Sequence, residues 1–103
     1  MDLNLTPHGF LICVDDWNET IAVQLATLND IELTPAHWEI VHFMRAYYLK
    51  FHYLPNTRVF VKAVANQFGT EKGNSRYLQQ LFPQSPLKYA CLIAGLPKPP
   101  TCL

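Results

Sequence analysis

Residues 34–52 read TPAHWEIVHFMRAYYLKFH, and this stretch decides the fold class. Thr34-Pro35 is a helix start. A threonine side chain suits the N-cap, and proline at the first helical position gives up only an N–H that would have no partner there. The helix should run to about His52. It places Trp38 and Val41 on one side and Ile40, Phe43, Met44, Tyr47 and Phe51 on the other, and so broad an apolar surface marks a central helix.

Working outward, the same period governs most of the chain. Asp15 and Asp16 can cap a helix to about Leu28, with Trp17, Ile21, Leu25 and Leu28 on one face. Ahead of it, Pro7-His8-Gly9 is a turn signal and Phe10 to Val14 an apolar run, which reads as a short hairpin. On the other side Pro55 forces a break. Asn56 or Thr57 then caps a helix to Phe68, stopped by Gly69 in a left-handed conformation. Thr70 to Asn74 is a polar turn. Ser75 starts a short helix ending before Pro83, and a last helix from about Pro86 to Ala94 is stopped by Gly95. Leu96 to Leu103 holds three prolines and cannot be helical.

The 103 residues suffice for one domain, and half of them are hydrophobic, enough for a core. No apolar run reaches the ~20 residues of a membrane span. The N-terminus lacks the basic and apolar regions of a secretory signal, so a cytoplasmic protein is expected. In that reducing compartment the three cysteines are not expected to form permanent disulfides. The zero net charge hides a division. Asp2, Asp15, Asp16, Glu19, Asp30, Glu32 and Glu39 precede the first base, Arg45, and only Glu71 follows it. Such asymmetry can orient partners, or can simply hold the two halves together or form solvated faces.

The tail carries the chemistry. Cys91 lies on the last helix and Cys102 one residue from the end of the sequence, with ten residues between them. Pro97, Pro99 and Pro100 bias the arm toward an extended form that would carry Cys102 some 20 Å from the helix end, at ~3.1 Å per residue. A thiol held there can enter another protein's active site. If the arm folds back, Cys91 and Cys102 can meet, since a bridge needs their Cα atoms within roughly 7 Å. Reactivity requires the thiolate. The terminal carboxylate beside Cys102 opposes it, and Lys98 and Lys88 can offset that. A persulfide formed on Cys102 would be more acidic and more nucleophilic than the thiol, which suits relay of sulfane sulfur. The plainer reading is a frayed tail with an incidental cysteine.

Several motifs resemble those of the DsrC/TusE family of sulfur-relay proteins. They are Lys72-Gly73-Asn74-Ser75-Arg76-Tyr77-Leu78 with Leu81-Phe82-Pro83, and the tail Ala94-Gly95-Leu96-Pro97-Lys98-Pro99 with Cys102. Leu33-Thr34-Pro35-Ala36-His37-Trp38-Glu39, residues 58–65, and Gly9-Phe10-Leu11 followed by Trp17 are similar too. The resemblance implies a mostly α fold, a small orthogonal bundle of about five helices with a short N-terminal β-hairpin. It divides the chain into a helical domain, 1–95, and a mobile arm, 96–103. It makes Cys102 the persulfide acceptor and Cys91 a second redox cysteine, and places Arg58, Arg76 and Lys88 near the arm; for these bases, solvated helix faces are the plainer reading. It implies a carrier within a relay rather than a self-sufficient enzyme. The partners would be a TusBCD-like sulfur donor complex and a tRNA 2-thiolation enzyme or, since Cys91 resembles the second cysteine of the DsrC branch, dissimilatory sulfite reductase.

Other classes are less well supplied. The spacing of His8, His37, His42 and His52 relative to the cysteines matches no zinc pattern, so no metal and no cofactor are expected. Gly69 and Gly73 read as helix punctuation, and Cys13 as a small buried or half-buried residue. The helices at 57–68 and 75–82 could pass for a helix-turn-helix, with Arg76, Gln79 and Gln80 as base readers. Zero net charge weakens that reading, and no direct nucleic-acid or membrane contact is expected. A thiol–disulfide switch using Cys91 and Cys102 is a third possibility. A monomer is expected.

Overall fold

In the computed structural model, residues 4–99 are described. After a 3-10 turn at Val14–Asp16 come α1 (Glu19–Leu28), α2 (Pro35–Phe51), α3 (Thr57–Phe68), α4 (Ser75–Leu81) and α5 (Pro86–Ile93). The mostly helical class is as expected, and among the described residues there is no sheet. The expected N-terminal hairpin is absent. Leu5 and Leu11 form a single antiparallel bridge around the turn at Pro7-His8-Gly9. Thr6 N–H donates to the Phe10 carbonyl at 2.7 Å and Ile12 N–H to the Asn4 carbonyl at 2.8 Å. Pro7 has no N–H to offer a ladder, and the 3-10 turn begins two residues after Ile12, so pairing stops there.

Three helices start on asparagine. Asn18, Asn56 and Asn74 each accept from the backbone N–H three residues on. Asp15 and Asp16, expected as caps of α1, instead lie in the 3-10 turn. That shift rotates the helix face: Ile21, Ala22, Leu25 and Ala26 are buried, Trp17 precedes the helix, and Leu28 is 64% exposed. At the start of α2 the His37 ring closes the cap. Its Nδ1 accepts from Thr34 N–H at 3.1 Å, and Thr34 Oγ1 lies 2.8 Å away. Its Nε2 donates to the Leu81 carbonyl at 2.6 Å. A carbonyl only accepts, so the proton sits on Nε2 and the buried ring ties α2 to the end of α4.

The centre of the molecule is α5 rather than α2. This eight-residue helix packs on α1, α2 and α4. Leu87, Ala90, Cys91, Leu92 and Ile93 are buried on it, and burial continues through Ala94 and Leu96. Ile40, Val41 and Met44 of α2 join this core. The far end of α2 does not: Leu49 is 57% and Phe51 42% exposed, and the aromatics there meet one another, Tyr47 tilted on Phe51 and edge-on to Tyr53.

Gly73 is needed for space. A Cβ there would come within 2.2 Å of the Ala65 backbone, so α3 and the turn before α4 can touch only through a glycine. Gly69 does stop α3, but with φ 93° and ψ 163°, outside the left-handed helical region expected of it. Beside this turn Lys72 Nζ lies 2.6 Å from Glu39 Oε1, joining the acidic and basic halves of the chain.

Candidate functional site at the base of the C-terminal tail

Cys102 lies outside the described residues. What the structure describes is the base from which the tail departs. Helix α5 closes in a Schellman turn around Gly95. The Gly95 N–H donates to the Leu92 carbonyl at 3.1 Å and the Leu96 N–H to the Cys91 carbonyl at 3.0 Å. Gly95 has φ +70°, where a side chain is strained, and a Cβ would lie 2.4 Å from Trp17 Cδ1. The Gly-Leu-Pro sequence therefore follows from geometry: glycine for the left-handed turn, a buried leucine to seat it, and a proline that cannot continue the helix.

Two carbonyls beyond that turn would ordinarily face water. Here side chains from distant parts of the chain reach them. Trp17 Nε1 donates to the Ile93 carbonyl at 2.8 Å and Arg45 Nη1 to the Ala94 carbonyl at 2.8 Å. The second guanidinium arm reaches the Val14 carbonyl at 3.3 Å, and the guanidinium carbon sits 4.3 Å from the centroid of the Trp17 ring. Desolvation lowers the Arg45 pKa from its ordinary value, partly opposed by Asp15. Arg45 thus joins the 3-10 turn, α2 and the end of α5 in one contact.

The tail begins against the body. Leu96 is fully buried and Pro99 is buried, while Pro97 and Lys98 are exposed. The expected arm, 96–103, is thus held to the domain over its described part, and its remaining residues lie outside the description. Cys91 is fully buried one turn before the Schellman glycine, and the Leu96 amide on its carbonyl ties it to the tail. Cys13, expected buried or half-buried, is exposed: the two residues that turn inward in its strand-like run are Phe10 and Leu11, and Ile12 already faces solvent.

The four expected basic residues are spread over separate elements. Arg58 and Arg76 are exposed second residues of α3 and α4, Lys88 is the half-buried third residue of α5 with its ammonium 5.4 Å from the Tyr89 ring centroid, and Lys98 is exposed in the tail. Arg58, Arg76 and Lys88 occupy first turns, where the helix dipole disfavours a cation by about 0.3–1 kcal/mol at the surface. No acid stands in any of those three turns. Helix stability therefore gives no reason for these placements.

The His42 ring stacks on Trp38 at 5.6 Å and meets Trp17 edge-on at 5.9 Å. Among the described residues there is no cluster of three or more His, Cys, Asp or Glu able to hold a metal, and no helix is long and apolar enough to cross a membrane.

The sequence reading missed the roles of Trp17 and Arg45 at the tail base. One signal was present: Arg45 is the first base of the chain and sits between Met44 and Ala46 in an otherwise apolar run, so its charge needed a partner.

Comparison with known proteins gives a consistent result. A family model described as DsrC like protein matches residues 1–103. Sulfurtransferase TusE of Escherichia coli (strain K12) is 49% identical over 102 residues, 99% of this chain and 94% of that protein. Sulfurtransferase TusE of Sodalis glossinidius is 47% identical over the same shares. The NMR structure of Allochromatium vinosum DsrC superposes with a TM-score of 0.88 at 44% identity, covering 96% of this chain and 88% of that one. The crystal structure of the oxidized gamma-subunit of the dissimilatory sulfite reductase (DsrC) from Archaeoglobus fulgidus gives 0.83 at 38% identity, covering 100% and 94%.

Proposed function

The chain belongs to the DsrC-like protein family, and from that premise we propose that it is a sulfur carrier whose working group is the Cys102 thiol. The observation that carries the reading is the near full-length likeness to sulfurtransferases, at 47% and 49% identity, in a chain that ends in a prolyl tail with a cysteine at its penultimate position.

The Cys102 thiolate attacks the outer sulfur of a donor persulfide. A new S–S bond forms on Cys102, the donor's S–S bond breaks, and the donor cysteine leaves as a thiolate, so no outside oxidant or reductant is consumed. The persulfide then passes to an acceptor enzyme in the same way. The acceptor pathway is 2-thiolation of the tRNA wobble uridine, with a TusBCD-like complex as donor, and the protein acts as a cytoplasmic monomer. From buried Pro99 to Cys102 the chain length sets an upper bound of roughly 10 Å on the thiol's reach. Bases placed against the dipoles of α3, α4 and α5 support steering of an acidic partner surface.

Cys91 favours a second reading, a DsrC-type partner of dissimilatory sulfite reductase in which Cys91 and Cys102 react as a pair. Its burial shields the Cys91 thiol from reagents in solvent.

Intact-mass spectrometry after incubation with a cysteine desulfurase and cysteine tests the proposal. The wild type should gain about one sulfur, ~32 Da, as a persulfide. Cys102→Ser should gain none, and Cys91→Ser should still load. Sulfur that follows Cys91 or Cys13 refutes the assignment.

A further inference from the structure

The end of α5 is closed by side chains from distant parts of the chain as well as by its own turn. The Schellman turn satisfies the Cys91 and Leu92 carbonyls, and the next two, on residues buried from water, need partners of their own. The Ile93 and Ala94 carbonyls accept from Trp17 and Arg45, which lie 76 and 49 residues away in sequence. The two side chains also hold each other, with the guanidinium over the indole, and Arg45 is braced on the Val14 carbonyl. Trp17 is packed so close to Gly95 that no Cβ fits between them. All of this bears on residues 93–95, where the chain leaves α5 for the tail.

We propose that Trp17 and Arg45 are positioning residues for the tail: by gripping the last carbonyls of α5 they fix its exit direction, and so set the rate at which sulfur passes between Cys102 and a protein donor. The transfer part rests on the carrier reading above. The geometry asks for these two residue types. A planar fork reaches two carbonyls from one side chain while stacking on a ring, which lysine cannot do. Phenylalanine keeps the apolar ring but has no N–H.

The test separates presentation from intrinsic reactivity. Trp17→Phe, Arg45→Lys and the wild type are compared at a temperature where thermal unfolding shows all three folded. Loading of Cys102 is timed from two donors, a persulfidated cysteine desulfurase and glutathione persulfide. Each variant should load from the protein donor about tenfold more slowly, since misplacement of order 1 Å is enough for such losses. Loading from the small donor, which needs no presentation, should stay within about twofold of wild type. A purely structural role would slow both or neither, and either result overturns the proposal.

A second measurement does not depend on sulfur chemistry. In a Cys13→Ser background, spin labels on Cys102 and on an exposed reference, Gln80→Cys, report the distance distribution between tail and body. Arg45→Lys should broaden it, and an unchanged distribution overturns the positioning role. A wild type that loads from neither donor overturns the carrier reading and the transfer claim together, while a broadened distribution would still support the grip on the tail.

Discussion

Adding one methyl group at Gly95 tests how tightly the tail base is built. Three penalties follow from the geometry. Alanine at φ +70° carries the left-handed strain of an L-residue, about 1–2 kcal/mol. Its Cβ would lie 2.4 Å from Trp17 Cδ1 and 2.9 Å from Trp17 Cβ and Cγ, so the indole must move as a whole. Movement breaks the Trp17 hydrogen bond to the Ile93 carbonyl, worth about 1 kcal/mol net. It also disturbs the guanidinium stacked on the ring, worth about 0.5–2 kcal/mol. Gly95→Ala should therefore lose about 2.5–5 kcal/mol, a large share of the 5–15 kcal/mol typical of a domain. At about 4 °C or more per kcal/mol for a chain of this size, Tm should fall by at least about 10 °C. Urea unfolding of four proteins, the wild type, Gly95→Ala, Trp17→Ala and the double variant, isolates the clash. With the indole gone, Gly95→Ala should cost only the backbone strain, leaving a coupling of about 2 kcal/mol. An equal penalty in both backgrounds, or a loss below about 1 kcal/mol in the first, would refute the claim that Trp17 and Gly95 are fitted to each other.

Two further expectations concern side chains elsewhere. The Lys72 pKa is raised above its ordinary 10.5, chiefly by the hydrogen bond to Glu39. The stability from that pair is therefore fully present below about pH 10.5 and lost as pH rises beyond it. Unfolding followed against pH should show wild type and Glu39→Gln differing by a constant amount near neutrality and converging in alkali, and a gap that persists there would contradict the pairing. In a Cys102→Ser variant, an aromatic disulfide reagent should modify Cys13 at once and Cys91 only as denaturant opens the protein, whereas equal rates for both would contradict the burial of Cys91.

The sequence showed its local signals and hid the long-range ones. Thr34-Pro35, Asn56 and Gly95 announce helix ends because capping depends on a few neighbouring residues, and α2, α3 and α5 lie within a residue or so of where those signals put them. The first helix was misplaced because Asp15-Asp16 and Asn18 are all competent caps, and local chemistry does not choose among them. Packing chooses: Trp17 must reach the end of α5, so the chain stays non-helical until Asn18 and the buried face begins at Ile21. Gly73 looked like punctuation because a glycine required by close approach and one required by backbone angle are the same letter in a sequence. The proposal for Cys102 rests on sequence position and family likeness, a penultimate thiol after three prolines. The grip of Trp17 and Arg45 was not, since it joins residues 76 and 49 positions apart.

The placement of α5 links these features. A short helix with five of its eight residues buried, at the centre of the domain, is an unusual root for a terminal segment, since terminal residues of most domains are poorly ordered unless tied down. Here the tie lies at the root, where Leu96 is buried and the preceding carbonyls are taken up by side chains from α2 and from the turn before α1. Distortion transmitted to that root must disturb Cys91, whose own carbonyl receives the first amide of the tail. Under the proposed carrier reading, a partner that pulls on the tail would act first on buried Leu96 and through it on the packing around Cys91.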